Sequence, residues 1–182
     1  MALRLFKLFV LVGIPLLGAL YAYQFTDQSR ELVVPFQTFR MPAEPAQMPG
    51  GGGALEIPRK GPITVVNFWA TWCPPCVEEF PAMMELQRQL EADGVELVFV
   101  SVDEKWEDVT KFLQQYQINV QPGRMLWDPT KELAQKWGST KFPETYVLRR
   151  DGWVLEKIIG LQQWTRPAVI EYFKGLALKY GP

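Results

Sequence analysis

The chain has 182 residues, a net charge of −1 and 48% apolar residues, enough for one buried core with sequence to spare and without the basic excess of a nucleic-acid surface. It contains no histidine, which excludes imidazole catalysis and histidine-ligated zinc or haem. Two cysteines are too few for a disulfide-stapled scaffold.

Arg4 and Lys7 precede an uncharged run, Leu8–Thr26, and the next charge is Asp27. Roughly 20 apolar residues cross a bilayer as helix, so residues 1–26 are expected to form a transmembrane anchor. The basic residues before the run place the N-terminus inside and the remainder outside the cytoplasmic membrane. A cleaved signal peptide is the competing reading; the length of the run and the poor Leu20/Ala22 site stand against it. Residues 27–61 read as a linker: Met41–Pro62 is rich in proline and glycine, with Gly50 to Gly53 in a row. Within the linker, Glu31–Phe39 is a candidate strand or hairpin docked on the domain edge.

The folded domain is expected over 62–182. Ile63–Trp69 is a short, nearly continuous apolar and β-branched run, as in a buried central strand. A helix follows from Pro74 to about Leu90, with Glu78 and Glu79 in its first turn, an inward face of Phe80, Met83, Met84, Leu86 and Leu90, and a kink at Pro81. Gly94 closes it. Val95–Val102 reads as a second buried strand and Trp106–Ile118 as a helix capped by Asp103 or a neighbour. Arg124–Asp128 reads as a short strand and Pro129–Gly138 as a helix. Glu144–Arg150 and Trp153–Gly160 read as a hairpin turning at Asp151–Gly152. A last amphipathic helix runs from Thr165 to about Lys179, with Pro167 in its first turn. Together these predict an α/β domain with a mixed sheet and helices on both faces.

Both cysteines lie in "NFWATWCPPCVEEFP", Asn67–Pro81, where a strand hands over to a helix. A helix N-terminus offers unpaired N–H groups and partial positive charge, and both stabilise a thiolate. Cys73 is therefore the attacking sulfur, exposed at the helix mouth, and Cys76, one turn in, resolves the mixed disulfide. Pro74 and Pro75 have no N–H, so the first amide donor left to Cys73 is that of Cys76. With Glu78 and Glu79 nearby and no lysine to offset them, the expectation is a raised Cys73 pKa and an electron-donating couple. Two thiols without histidine are a poor zinc site, Val77 stands where haem attachment needs histidine, and a passive disulfide closing so small a loop stabilises little. No cofactor or metal is expected.

"VVNFWATWCPPCVEEFP" resembles the active-site segment of the thioredoxin-fold, membrane-tethered thiol–disulfide oxidoreductases of the TlpA, ResA and CcmG (DsbE) group, and "KFPETYVLRRDG", Lys141–Gly152, resembles their cis-proline loop. The resemblance spans about Pro62 to Lys179. It implies a thioredoxin-like fold, an extracytoplasmic protein-disulfide reductase, clients that include apocytochrome c before haem attachment, and a membrane thiol relay as electron donor. It implies that Cys73 is the nucleophile, Cys76 the resolving cysteine and Pro143 a cis-proline whose preceding backbone faces Cys73. Glu79 matches a glutamate that modulates cysteine protonation in those relatives; a helix-dipole role in the first turn is the alternative. Asn67 occupies the place of the buried aspartate of thioredoxin and cannot titrate, which leaves acid–base work to Glu79 or Glu144. Glu144 either meets substrate or begins a strand in solvent. Phe142 is bulkier than the residue the relatives carry there, and is a candidate client contact with Trp72 and Pro143. Trp69 reads as core.

The expected activity is reduction of protein disulfides by a periplasm-facing, single-pass protein. An oxidase or isomerase would use the same sulfurs, a peroxidase is disfavoured because Pro-x-x-x-Thr/Ser-x-x-Cys is absent, and a tethered binding module with an incidental disulfide is the alternative of another class.

Overall fold

The computed structural model describes residues 41, 44–47, 54–58, 60–121 and 123–181. The apolar run 8–26 and the candidate strand 31–39 lie outside the described residues. Among the described residues, no helix is long and apolar enough to cross a membrane.

Two strands fall inside the stretch read as linker: β1 (Glu44–Gln47) and β2 (Ala54–Ile57), paired antiparallel. Upstream of them the buried Met41 donates its N–H to Gly152 O at 2.8 Å. The ordered domain thus begins before Pro62. The sequence hid this because four-residue strands flanking a glycine run show too little alternation to stand out.

The central strand β3 (Ile63–Trp69) is buried at every position, as its β-branched run predicts. Helix α1 (Pro74–Leu90) follows, with prolines at its first two positions, where a missing N–H costs nothing, and it continues past Pro81. A 3₁₀ turn (Glu91–Asp93) ends on Gly94 at φ 74°, a left-handed conformation that favours glycine. Next come β4 (Val95–Ser101), α2 (Trp106–Gln115), β5 (Met125–Trp127), α3 (Glu132–Lys136), β6 (Glu144–Arg149), β7 (Val154–Ile159) and α4 (Pro167–Tyr180). Among the described residues the seven strands form one sheet of order β2-β1-β5-β4-β3-β6-β7. β3, β4 and β5 are parallel; β6 and β7 run antiparallel beyond β3. The β6–β7 turn is at Asp151–Gly152, with Gly152 at φ 87°.

Two helices are shorter than expected. α2 stops at Gln115 rather than Ile118, because Gln117 takes the left-handed conformation at φ 54° and the Ile118 N–H returns to Leu113 O, a stop normally signalled by glycine. α3 is one short helix rather than 129–138. Lys131 is left-handed at φ 60°, and the buried Asp128 carboxylate accepts from the Leu133 and Ala134 N–H groups, capping α3 across the turn.

Neighbouring strand residues face opposite sides of a sheet. Trp69 packs with Phe80 of α1 and Phe112 of α2 on one side, whereas Phe68 packs with Trp137 and Tyr146 on the other. Helix α4 lies against α1. The two-faced arrangement of helices is therefore as the sequence implied, and Trp69 is core.

Candidate active site

β3 ends in a tight turn in which Cys73 N–H donates to Ala70 O at 3.2 Å, and Cys73 itself is the N-cap of α1. Cys73 and Cys76 are joined as a disulfide, with Cα atoms 5.3 Å apart. Cys73 is 5% exposed and Cys76 1%. The expectation of an openly exposed Cys73 is corrected: in the bonded pair little of it reaches the surface. Of the two it remains the nearer to solvent, at a rim formed by Trp72, which is 57% exposed, and the exposed Pro74.

The turn is fastened from β4. Asp103, buried, accepts from the Thr71 N–H at 3.1 Å, the Thr71 hydroxyl at 2.7 Å and the Ser101 hydroxyl at 2.8 Å. It therefore does not cap α2; Lys105 is the N-cap there, and no side chain closes it. Asp103→Ala leaves these donors without their acceptor and is expected to destabilise the chain by about 2–4 kcal/mol. Urea unfolding checks this: the midpoint falls and the slope is unchanged.

Phe142–Pro143 is a cis peptide, as the resemblance implies. The loop it belongs to meets the cysteine turn directly: the Trp72 and Phe142 rings stand edge to face, 6.1 Å apart. Pro143 is buried. Lys131 Nζ lies 5.6 Å from the centroid of the Trp72 ring. A lysine thus stands against the rim of the site.

Glu78 and Glu79 are in the second turn of α1, because Pro74 opens the helix, so neither is a first-turn dipole partner. Glu78 is exposed. Glu79 is 2% exposed, on the core side of α1, three residues beyond Cys76 and so on the same helix face. Its carboxyl accepts from Trp164 Nε1 at 2.9 Å, the Gln162 N–H at 3.2 Å and Asn67 Nδ2 at 3.2 Å. Burial pushes its pKa up to about 7, against the opposing pull of the Trp164, Gln162 and Asn67 hydrogen bonds. Asn67 also donates to Thr145 Oγ1 at 2.9 Å, tying α1, β3 and β6 together. Asn67 thus holds the titrating group rather than supplying it.

Glu144 is not a strand start in solvent. It is buried on the opposite face of the sheet, with its carboxylate 2.9 Å from Lys157 Nζ. Tyr146 and Lys157 are cross-strand partners, and Glu144, two residues from Tyr146, shares their face. Burial pulls the Lys157 ammonium down, but Tyr146 and Glu144 outweigh this and hold its pKa above the ordinary value. Of the sequence-derived candidates, Cys73, Cys76, Trp72, Phe142, Pro143 and Glu79 gather around the end of β3. Trp164, Gln162, Asp103, Lys131 and Lys157 were not foreseen, since no local motif marks partners dozens of residues away.

The AhpC/TSA family matches residues 54–157. ResA of Bacillus thuringiensis subsp. konkukian, a thiol-disulfide oxidoreductase, is 33% identical over 115 residues, covering 63% of this chain and 64% of that protein. HelX of Rhodobacter capsulatus, a thiol:disulfide interchange protein, is 34% identical over 104 residues, covering 56% of this chain and 54% of its own. The chain thus spans less than two thirds of the length of these relatives. StoA of Bacillus subtilis is similar in structure, with a TM-score of 0.56 and 25% identity over 79% of this chain and 97% of StoA. A Chlorobium tepidum structure assigned as a thiol:disulfide interchange protein DsbE gives a TM-score of 0.63 and 27% identity over 81% of this chain and 99% of its own. The fold, the bonded cysteine pair and the matched span agree: this chain belongs to the AhpC/TSA family of thioredoxin-like proteins, among relatives of the ResA, HelX and DsbE type.

Proposed function

We propose that the chain is an extracytoplasmic thiol–disulfide oxidoreductase that reduces protein disulfides, held at the cytoplasmic membrane by residues 1–26. The observation that carries this is the Cys73–Cys76 pair at the start of α1, with the Phe142–Pro143 loop packed beside it through Trp72. The Cys73 thiolate attacks one sulfur of a client disulfide and releases the other as a thiolate. The Cys76 thiol loses its proton and attacks Cys73 Sγ, releasing the client's first sulfur. The client gains two electrons and two protons, and the Cys73–Cys76 disulfide is left. Glu79, one turn from Cys76 and titrating near neutrality, suits the proton transfer. An external dithiol, which we assign to a membrane thiol relay, must restore the reduced pair.

The prolines at the first two positions of α1 withhold amide donors from a Cys73 thiolate, which supports the reducing direction. Redox titration of the chain against glutathione or dithiothreitol buffers is expected to give a midpoint nearer the value of about −270 mV for thioredoxin than that of about −120 mV for a strong oxidant. A midpoint at the oxidant end would assign the chain to disulfide formation instead. Apocytochrome c is the client class we put forward, and its recovery on Cys73 in a Cys76→Ser trap tests that assignment.

A further inference from the structure

Lys157 is a buried cation on β7 whose ammonium reaches two points in the chain at once. Its Nζ donates to Gly138 O at 2.8 Å and lies 2.9 Å from the Glu144 carboxylate. Gly138 and Glu144 bracket the segment that carries Ser139, Phe142 and cis-Pro143. Tyr146, across the strand pair from Lys157, donates its hydroxyl to Trp137 O at 2.6 Å and is 3.0 Å from Ser139 Oγ, so the near end of the segment is held a second time. At the far end, Pro143 O accepts the Gly160 N–H at 2.9 Å. Between those ends, the Phe142 ring meets that of Trp72, the residue before Cys73. An ammonium taken out of water needs its donors filled, and beside Tyr146 on the neighbouring strand the partners here, Gly138 O and the Glu144 carboxylate, belong to the two ends of one loop.

We propose that Lys157 is a positioning residue for client binding: it staples the two ends of the 138–144 loop, and so sets the height of Phe142 and the backbone beside Cys73 against which a polypeptide client lies. This rests on the reading of the chain as a protein-disulfide reductase and extends it from the sulfurs to client recognition. The staple matters for a polypeptide that lies along the loop and not for a small disulfide that reaches only the sulfur.

Two loss variants and one rescue variant test it in the chain as it exists. Lys157→Met removes the staple but leaves Glu144 buried and unpaired, so it tests folding as well as function. Lys157→Gln/Glu144→Gln removes both charges together and substitutes a side chain too short to hold both ends. For each, thermal unfolding is measured first, then reduction of a cystine-containing peptide and of 5,5′-dithiobis(2-nitrobenzoate). The expected result is a five- to twentyfold rise in KM for the peptide, with kcat and the rate with the small disulfide within twofold of the parent. Lys157→Arg, which keeps a cation and several donors, is expected to recover at least part of the loss. Amide hydrogen exchange of Ser139 to Phe142 is expected to quicken by tenfold or more in the double variant, a readout that does not depend on turnover. Unchanged peptide KM and unchanged exchange overturn the proposal. So does an equal loss with both substrates, or failure of both variants to fold, since either makes Lys157 a residue of general stability. If the parent chain itself does not reduce the peptide, the reductase reading fails, and the exchange measurement still decides whether Lys157 holds the loop.

Discussion

Cys73→Ser is expected to abolish disulfide reduction, by about 10⁴-fold or more, whereas Cys76→Ser is expected to accumulate client chains covalently bound to Cys73. The asymmetry comes from the start of α1. Cys73 is the N-cap, at the rim beside exposed Trp72, while Cys76 is one turn in and sealed from solvent. A client sulfur can therefore reach the first and not the second. Because Pro74 and Pro75 carry no N–H, the amide of Cys76 is the first in the helix available to a Cys73 thiolate. Once Cys76 can no longer attack, the mixed disulfide has no internal exit and persists through non-reducing electrophoresis, where mass spectrometry identifies the bound partner. Adducts formed by Cys73→Ser in place of Cys76→Ser would reverse the two roles. An undiminished reductase in either single variant would remove the dithiol from the mechanism.

Glu79→Gln is expected to flatten two pH profiles. The first is stability. Folding raises the Glu79 carboxyl from 4.5 to about 7 by burying it, so the folded chain holds this proton more tightly than the unfolded chain does. The stabilisation is fully present below pH 4.5 and is lost as pH rises through 7, by up to about 3 kcal/mol. Glutamine has no such dependence. It is also accommodated sterically: its oxygen can accept from Trp164 and Gln162, and a flip of Asn67 presents an oxygen to its new amide. Urea unfolding of the oxidised chain from pH 4 to 8 should therefore show a decline in the parent that the variant lacks. The second profile is the resolving step. If Glu79 takes the Cys76 proton, the rate of mixed-disulfide resolution in the parent inflects near pH 7, and the variant is slower by about 10²-fold without that inflection. A variant whose stability profile changes while its resolution profile does not would limit Glu79 to a structural part.

The parts legible in the sequence were those with local causes. Ile63–Trp69 announced itself through β-branching, α1 through prolines at its start and an apolar stripe, and the hairpin through Asp151–Gly152. The cysteine pair was readable because its chemistry needs only two residues and a helix end. What escaped was set by tertiary context. Glu79 was marked by the resemblance alone, and its burial under Trp164, some eighty residues later, is what the sequence did not show. Glu144 looks like a solvated strand start until β7 brings Lys157 across the sheet. α2 ended early because Gln117 does what glycine usually does, and no pattern in the sequence marks that. The strands β1 and β2 were invisible for a different reason: four residues each are too few to show an alternation, and their main pairing is with one another.

The attachment of Thr71 to Asp103, itself braced by Ser101, uses oxygen and nitrogen alone. None of those bonds involves sulfur, so opening the Cys73–Cys76 bond two residues away removes no atom from the anchorage. On the reductase reading proposed above, such a mount would let one surface serve both the giver and the taker of electrons.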